Sequence, residues 1–136
     1  MFVPSFTFAA TGEVVSLAGA SPVFVDVLAD TYNMDPASLE AAIALVKRDG
    51  KLTPRVVMPV DLFGQPADYR ALGPIAARQG LKLFCDTAQG FGALLDGGAQ
   101  SVEIACNRNV EAADLLAIGI EKARRHDLAA FDQSVF

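Results

Sequence analysis

Two hydrophobic periods alternate along the first hundred residues. Pro22 to Val27, Arg55 to Val60 and Leu81 to Cys85 are short apolar or β-branched runs, and they read as strands. The latter two are almost uniformly apolar at their centres, which suits strands covered on both faces of a parallel sheet. Between them lie helical patterns. Asp35 as N-cap and Pro36 at the first helical position open one helix with an apolar stripe, and Asp49-Gly50 ends it. A second opens at Pro66, runs toward Arg78 and stops at Gly80, with Gly73-Pro74 inside it as a kink or a shifted start. An earlier helix spans Ala9 to Leu17 and closes at Gly19. Strand and helix in strict alternation predict an α/β fold, three-layer α/β/α around a mainly parallel sheet with right-handed crossovers.

The pattern changes after Gly98. From Ala99 to Phe136 the one candidate strand is Ser101 to Cys106, and one amphipathic helix runs from about Val110 to His126. Two parts are therefore expected: residues 1–98 as an α/β unit and residues 99–136 as a divergent, mainly helical tail.

Composition narrows the classes. The 136 residues are 52% hydrophobic and 20% charged, enough apolar side chain for a core and too much for a disordered chain. No apolar run approaches the roughly 18 residues of a spanning helix, so no membrane partner is expected. A net charge of −5 lacks the basic footprint of a nucleic-acid binder, and Arg124-Arg125-His126 is the one basic cluster. Two cysteines, Cys85 and Cys106, with a single histidine give neither a disulfide framework nor a Cys/His zinc site. Both cysteines read as small, buried and reduced. The first basic residue is Lys47, so neither a secretory nor a mitochondrial leader can start the sequence, and a cytoplasmic location is expected.

Candidate chemistry gathers where the strands end. Ligands of open α/β sheets bind beyond the carboxyl ends of the strands, and Asp26, Asp61 and Asp86 fall there. They read either as a divalent-metal cluster or as caps of the following turns. The most informative stretch is Asp86-Thr87-Ala88-Gln89-Gly90-Phe91-Gly92-Ala93. A carboxylate at such a strand end suits a charge-assisted hydrogen bond to a cationic ring nitrogen. Pyridoxal phosphate requires that partner, because its protonated ring withdraws electrons from a substrate carbanion. No Gly-Lys-Ser/Thr follows the glycines, so this is not a P-loop.

Five blocks together resemble one family. Pro4 to Thr11, Gly19 to Val27, Thr31 to Pro36, Pro59 to Asp68 and Asp86 to Ala93 occur in the order and spacing of the DegT/DnrJ/StrS sugar-nucleotide aminotransferases. The likeness covers roughly residues 2 to 97. It implies part of the large domain of a pyridoxal-phosphate fold-type I aminotransferase, acting as a homo-oligomer or dimer. It also implies cofactor-binding roles: Asp86 on the pyridine nitrogen, Gln89 on the phenolic oxygen and Phe8 stacked on the ring. Asp61 is assigned no role, since many relatives carry His there. No catalytic residue and no metal ligand is assigned.

The departures are as informative. The family's Schiff-base lysine follows the pyridine-binding acid by roughly 25 to 30 residues. Here no lysine occurs between Lys82 and Lys122, and Lys122 reads as a helix-surface residue beside Glu121 and Arg124. The glycine-containing phosphate-binding segment and the small C-terminal domain are missing as well. The leading reading is thus an incomplete aminotransferase for a keto-sugar nucleotide or a related ring substrate, weak or inactive alone. The alternative is a non-catalytic remnant or interaction module that associates through the family's dimer surface. A metal-dependent phosphoryl-transfer domain built on the three acids is the third, and it leaves the Pro59 and Asp86 blocks unexplained.

Overall fold

A computed structural model describes residues 1–90. Four parallel strands, β1 (Phe2–Pro4), β2 (Val23–Val25), β3 (Val56–Val57) and β4 (Lys82–Leu83), lie in the order β2-β1-β3-β4. Helices α1 (Ala10–Leu17), α2 (Pro36–Asp49) and α3 (Tyr69–Gln79) connect them in turn. The fold is the expected α/β one. The tail from residue 99 and the block beyond Gly90 lie outside the described residues.

Side-chain alternation sorts the strands onto two faces. Phe2, Val25, Val57 and Leu83 pack with Leu39, Ile43 and Val46 of α2 and Leu72, Ile75 and Ala76 of α3. Their neighbours Val3, Met58 and Phe84 point the other way and pack with Val15 of α1. The sheet is therefore covered on both faces, as the unbroken apolar runs required.

The helix signals hold at residue level. Asp35 accepts from Ala37 N (3.0 Å) and Ser38 N (3.3 Å), with Pro36 in the first turn, and Gly50 ends α2 at φ +70°. Gly80 ends α3 at φ +68°. α3 begins three residues after the expected Pro66, because Asp68 caps it by accepting from Ala71 N at 3.0 Å. Pro66 and Ala67 are instead held in the preceding loop. Pro74 lies inside α3, so the helix runs through Gly73-Pro74 rather than starting after it.

Two expectations are corrected. The sequence pattern contains no visible strand at Phe2–Pro4, yet β1 is central and pairs with both β2 and β3. Three residues ending in proline are too few to show a period. Cys85, read as buried and reduced, is half-buried against the α2/α3 core and disulfide-bonded.

Leu39 is fully buried. Leu39→Ala is expected to lower the unfolding free energy by about 2–5 kcal/mol, and Asp35→Ala by about 1 kcal/mol. Urea melts check both; equal losses would mean that α2 is held by its cap rather than by its apolar face.

Candidate functional site

The chain leaves β1 toward β2 on one side and then crosses back to place β3 on the other. That reversal lies between β1 and β3, and the crevice outside their carboxyl ends is where such sheets take ligands. Four segments meet there: the loop after β1, the loop between β2 and α2, the loop between β3 and α3, and the turn after β4.

Asp86 is fixed by its own backbone. Its N–H donates to Pro59 O (2.9 Å) and its carbonyl accepts from Asp61 N (2.9 Å). The Val60–Asp86 bridge thus carries the sheet past the formal ends of β3 and β4. The Asp86 carboxylate is half-buried, and Oδ1 accepts from Ala88 N at 3.1 Å. Gln89, in the turn that follows, accepts from Phe63 N through Oε1 at 2.7 Å. A backbone N–H can only donate, so this bond identifies Oε1 as the acceptor and leaves the NH2 as the donor end of the amide.

Phe8 lies in the loop between β1 and α1. It is 72% exposed and lines a cavity of about 630 Å³ between α1 and β2, whose other walls include Pro4, Gly12, Leu17 and Phe24. Neither Asp86 nor Gln89 lines that cavity. Phe8 is not a core residue; its ring is open to a stacking partner.

The three strand-end acids do not converge on a metal. No group of three potential ligands occurs among the described residues. Asp26 is exposed and accepts from Val27 N, as a turn residue does.

Asp61 is the residue that sequence reasoning passed over. It is fully buried. Its Oδ1 accepts from the Tyr69 hydroxyl (2.5 Å) and from Ala67 N (2.9 Å), which folds the 61–69 loop around it. Oδ2 is buried without a partner. Gly90 covers it so closely that a Cβ there would stand 2.7 Å from Asp61 Cβ and 2.8 Å from Oδ2. Burial raises the Asp61 carboxyl above its ordinary range against the opposing hydrogen bonds from Tyr69 and Ala67, and the Asp86 charge adds to the rise. Burial and the bond to Asp61 likewise raise Tyr69, so the phenol keeps its proton. Asn33, buried in the β2–α2 loop, ties that loop to the site by donating to Gln65 O (3.2 Å) and Pro66 O (3.1 Å).

A raised carboxyl means that the native state holds a proton the unfolded chain has already released. Stability from this group is therefore complete below the ordinary carboxylate range and is lost as pH rises through the native value. Asp61→Asn mimics the protonated form. It is expected to match the parent at acid pH and exceed it at pH 7, read from urea midpoints across pH; a parent that gains stability at this site with rising pH would show an ionised, partnered Asp61. Gly90→Ala is expected to cost about 1–3 kcal/mol through overpacking.

Residues 1–110 match the DegT/DnrJ/EryC1/StrS aminotransferase family. The UDP-2-acetamido-2-deoxy-3-oxo-D-glucuronate aminotransferase of Pseudomonas aeruginosa is 46% identical over 99 residues, covering 71% of this chain and 25% of that protein. A family aminotransferase from Brucella abortus superposes with a TM-score of 0.64 at 58% identity, over 65% of this chain and 24% of that one. NtdA from Bacillus subtilis, solved with bound cofactor PMP, superposes with a TM-score of 0.58 at 32% identity, over 67% and 19%. The chain thus spans about a quarter of the length of the relatives it matches. With its doubly wound sheet and its acid at the end of β4, this chain belongs to the DegT/DnrJ/EryC1/StrS aminotransferase family.

Proposed function

We propose that this chain carries the ring-binding part of a pyridoxal-phosphate-dependent aminotransferase for a keto-sugar nucleotide or related ring substrate. The observation that carries the reading is the Asp86–Gln89 turn. Asp86 is fixed at its N–H and its carbonyl by Pro59 and Asp61, in the segment that follows β3, and Gln89 is held at its side-chain oxygen by Phe63 N–H. The chemistry of the two side chains suits the cofactor ring: a carboxylate for a protonated nitrogen, and an amide NH2 for a phenolic oxygen. The cofactor, when bound, supplies the electron sink for cleavage at the substrate's α-carbon.

The residues of this chain have separable tasks in that reading. Asp86 keeps the proton on the ring nitrogen. Gln89 orients the ring through its oxygen. Phe8, open to solvent, covers one ring face. Asp61 carries none of these contacts; it supports the turn from beneath, through Gly90. The absence of a lysine between Lys82 and Lys122 supports binding without turnover by this chain alone. We place the division between this unit and the divergent tail after residue 98, where the sequence pattern changes.

A second reading rests on a different surface. Phe8, Val14, Leu17 and Phe24 are exposed together around α1 and β2, an apolar face of the kind that marks association. It supports a homo-oligomer, and it suits the interaction-module alternative as well as the enzyme. Light scattering behind size exclusion tests it: Leu17→Glu is expected to shift the mass toward the monomer, and a parent already monomeric would remove this support.

Pyridoxamine phosphate, which has no aldehyde and forms no adventitious adducts with lysines, tests the first reading by calorimetric titration. Saturable binding is expected, weakened roughly 10- to 100-fold in Asp86→Ala, the range for losing a charged hydrogen bond. No keto-acid turnover is expected from either protein. Equal affinity in Asp86→Ala would reject the assignment, and turnover by the parent that a Lys122→Ala control retains would reject the inactive reading.

A further inference from the structure

Three exposed aromatic side chains stand together at the same end of the sheet. Phe6 follows β1, Tyr32 lies between β2 and α2, and Phe63 lies between β3 and α3. Their exposures are 49%, 45% and 73%. The Phe6 and Tyr32 rings are 5.3 Å apart at a 37° tilt, and Tyr32 meets Phe63 edge-on at 6.5 Å and 85°. Chains normally bury such rings; here three loops bring them together in water.

Their backbones show that the placement is imposed. Tyr32 and Phe63 are the two non-glycine residues at positive φ among the described residues, +58° and +57°. Bulky side chains rarely adopt that conformation, and where they do the surrounding structure over-determines it. The ties are present. Tyr32 sits in a tight loop closed by Leu28 N to Asn33 O (2.9 Å) and Asp35 N to Asp26 O (2.9 Å). Asn33 fastens that loop to Gln65 and Pro66. Phe63 is held at its N–H by Gln89, the residue aimed at the cofactor oxygen in the reading above. The three rings are thus preorganised, and one of them is hydrogen-bonded to the site.

Their size selects the occupant. At ~200 Å² per aromatic side chain the three expose roughly 350 Å². A stable protein partner needs about 800 Å² on each side. A patch less than half that size, made of ring faces and edges, fits one planar ring. Stacking on aromatic faces is how proteins hold nucleobases without reading their edges.

We propose that Phe6, Tyr32 and Phe63 form a stacking platform for a heteroaromatic ring, the base of the nucleotide that carries the sugar. This rests on the reading of a nucleotide-linked substrate above and deepens it. Gln89 then links the two ends of the site: its NH2 would serve the cofactor oxygen, while its own oxygen holds the backbone of Phe63.

The full chain, with its aromatic rings labelled, is titrated with UDP, uridine and inorganic pyrophosphate and followed by NMR. UDP and uridine are expected to move the ring signals of all three residues, and pyrophosphate to leave them in place. Phe63→Gly removes the ring and relieves the positive φ, so its thermal midpoint is expected to hold or rise while the UDP dissociation constant increases at least fivefold. Phe63→Tyr is expected to keep parent affinity. Ring signals unmoved by UDP and uridine, equal shifts from pyrophosphate, or unchanged affinity in Phe63→Gly would overturn the proposal. So would ring shifts on simple dilution, which would assign the patch to a second copy of the chain. Pyridoxamine phosphate titrated into the same samples separates the two readings: its binding without UDP binding rejects the platform alone, and the reverse rejects the cofactor assignment alone.

Discussion

The peptide of Asp86 is gripped from both sides by the segment that prolongs β3. Its N–H reaches Pro59 O, and its carbonyl receives Asp61 N, each at 2.9 Å. Proline at 59 has no N–H to offer but a carbonyl fully able to accept, so it does not weaken this ladder. The register fixes where the carboxylate emerges and where the next turn begins. That turn carries Gln89 on its outer side and Gly90 against Asp61 on its inner side. A shift of one residue in this pairing would reverse which side chains face the crevice.

Beneath the turn, Asp61 organises what the ladder cannot. One carboxylate oxygen gathers the Tyr69 hydroxyl and Ala67 N–H, which bends the loop and delays the start of α3 to Tyr69. The other oxygen has no partner and is roofed by a glycine. An ionised group in that position would be costly, which is the physical content of its raised titration. Asp61 and Asp86 are joined through one backbone hydrogen bond, and the two carboxyls stand in different surroundings: one fully buried under a glycine, the other half-buried where the sheet ends.

Much of this architecture was legible in the residues, and the gaps have physical causes. Asp35-Pro36 and Gly50 bounded α2, because capping is local chemistry written in adjacent positions. The unbroken runs at Val56 and Leu81 correctly implied cover on both faces. β1 was illegible, since three residues carry no period and their strand character comes from two neighbours. The start of α3 was misplaced because Pro66 satisfies the rule for a first turn, while a buried carboxylate claimed Ala67 N–H instead. Asp86 and Gln89 were readable as a motif. Asp61 was not, because its environment is built by Tyr69 and Gly90 from separate elements. The clustering of Phe6, Tyr32 and Phe63 was invisible too, since no sequence rule places Tyr or Phe at positive φ.

The strand order has a consequence in time. β2 and β3 do not pair with each other; β1 lies between them and pairs with both. Phe2–Pro4 leave the ribosome more than fifty residues ahead of Val56, which at ~5–20 residues per second is a wait of several seconds. During that interval β1 can pair with β2 on one edge only, and its other edge stays open. The central strand of the finished sheet therefore begins life as its exposed border, and nascent chains are most open to mispairing at the segment on which both halves of the sheet depend.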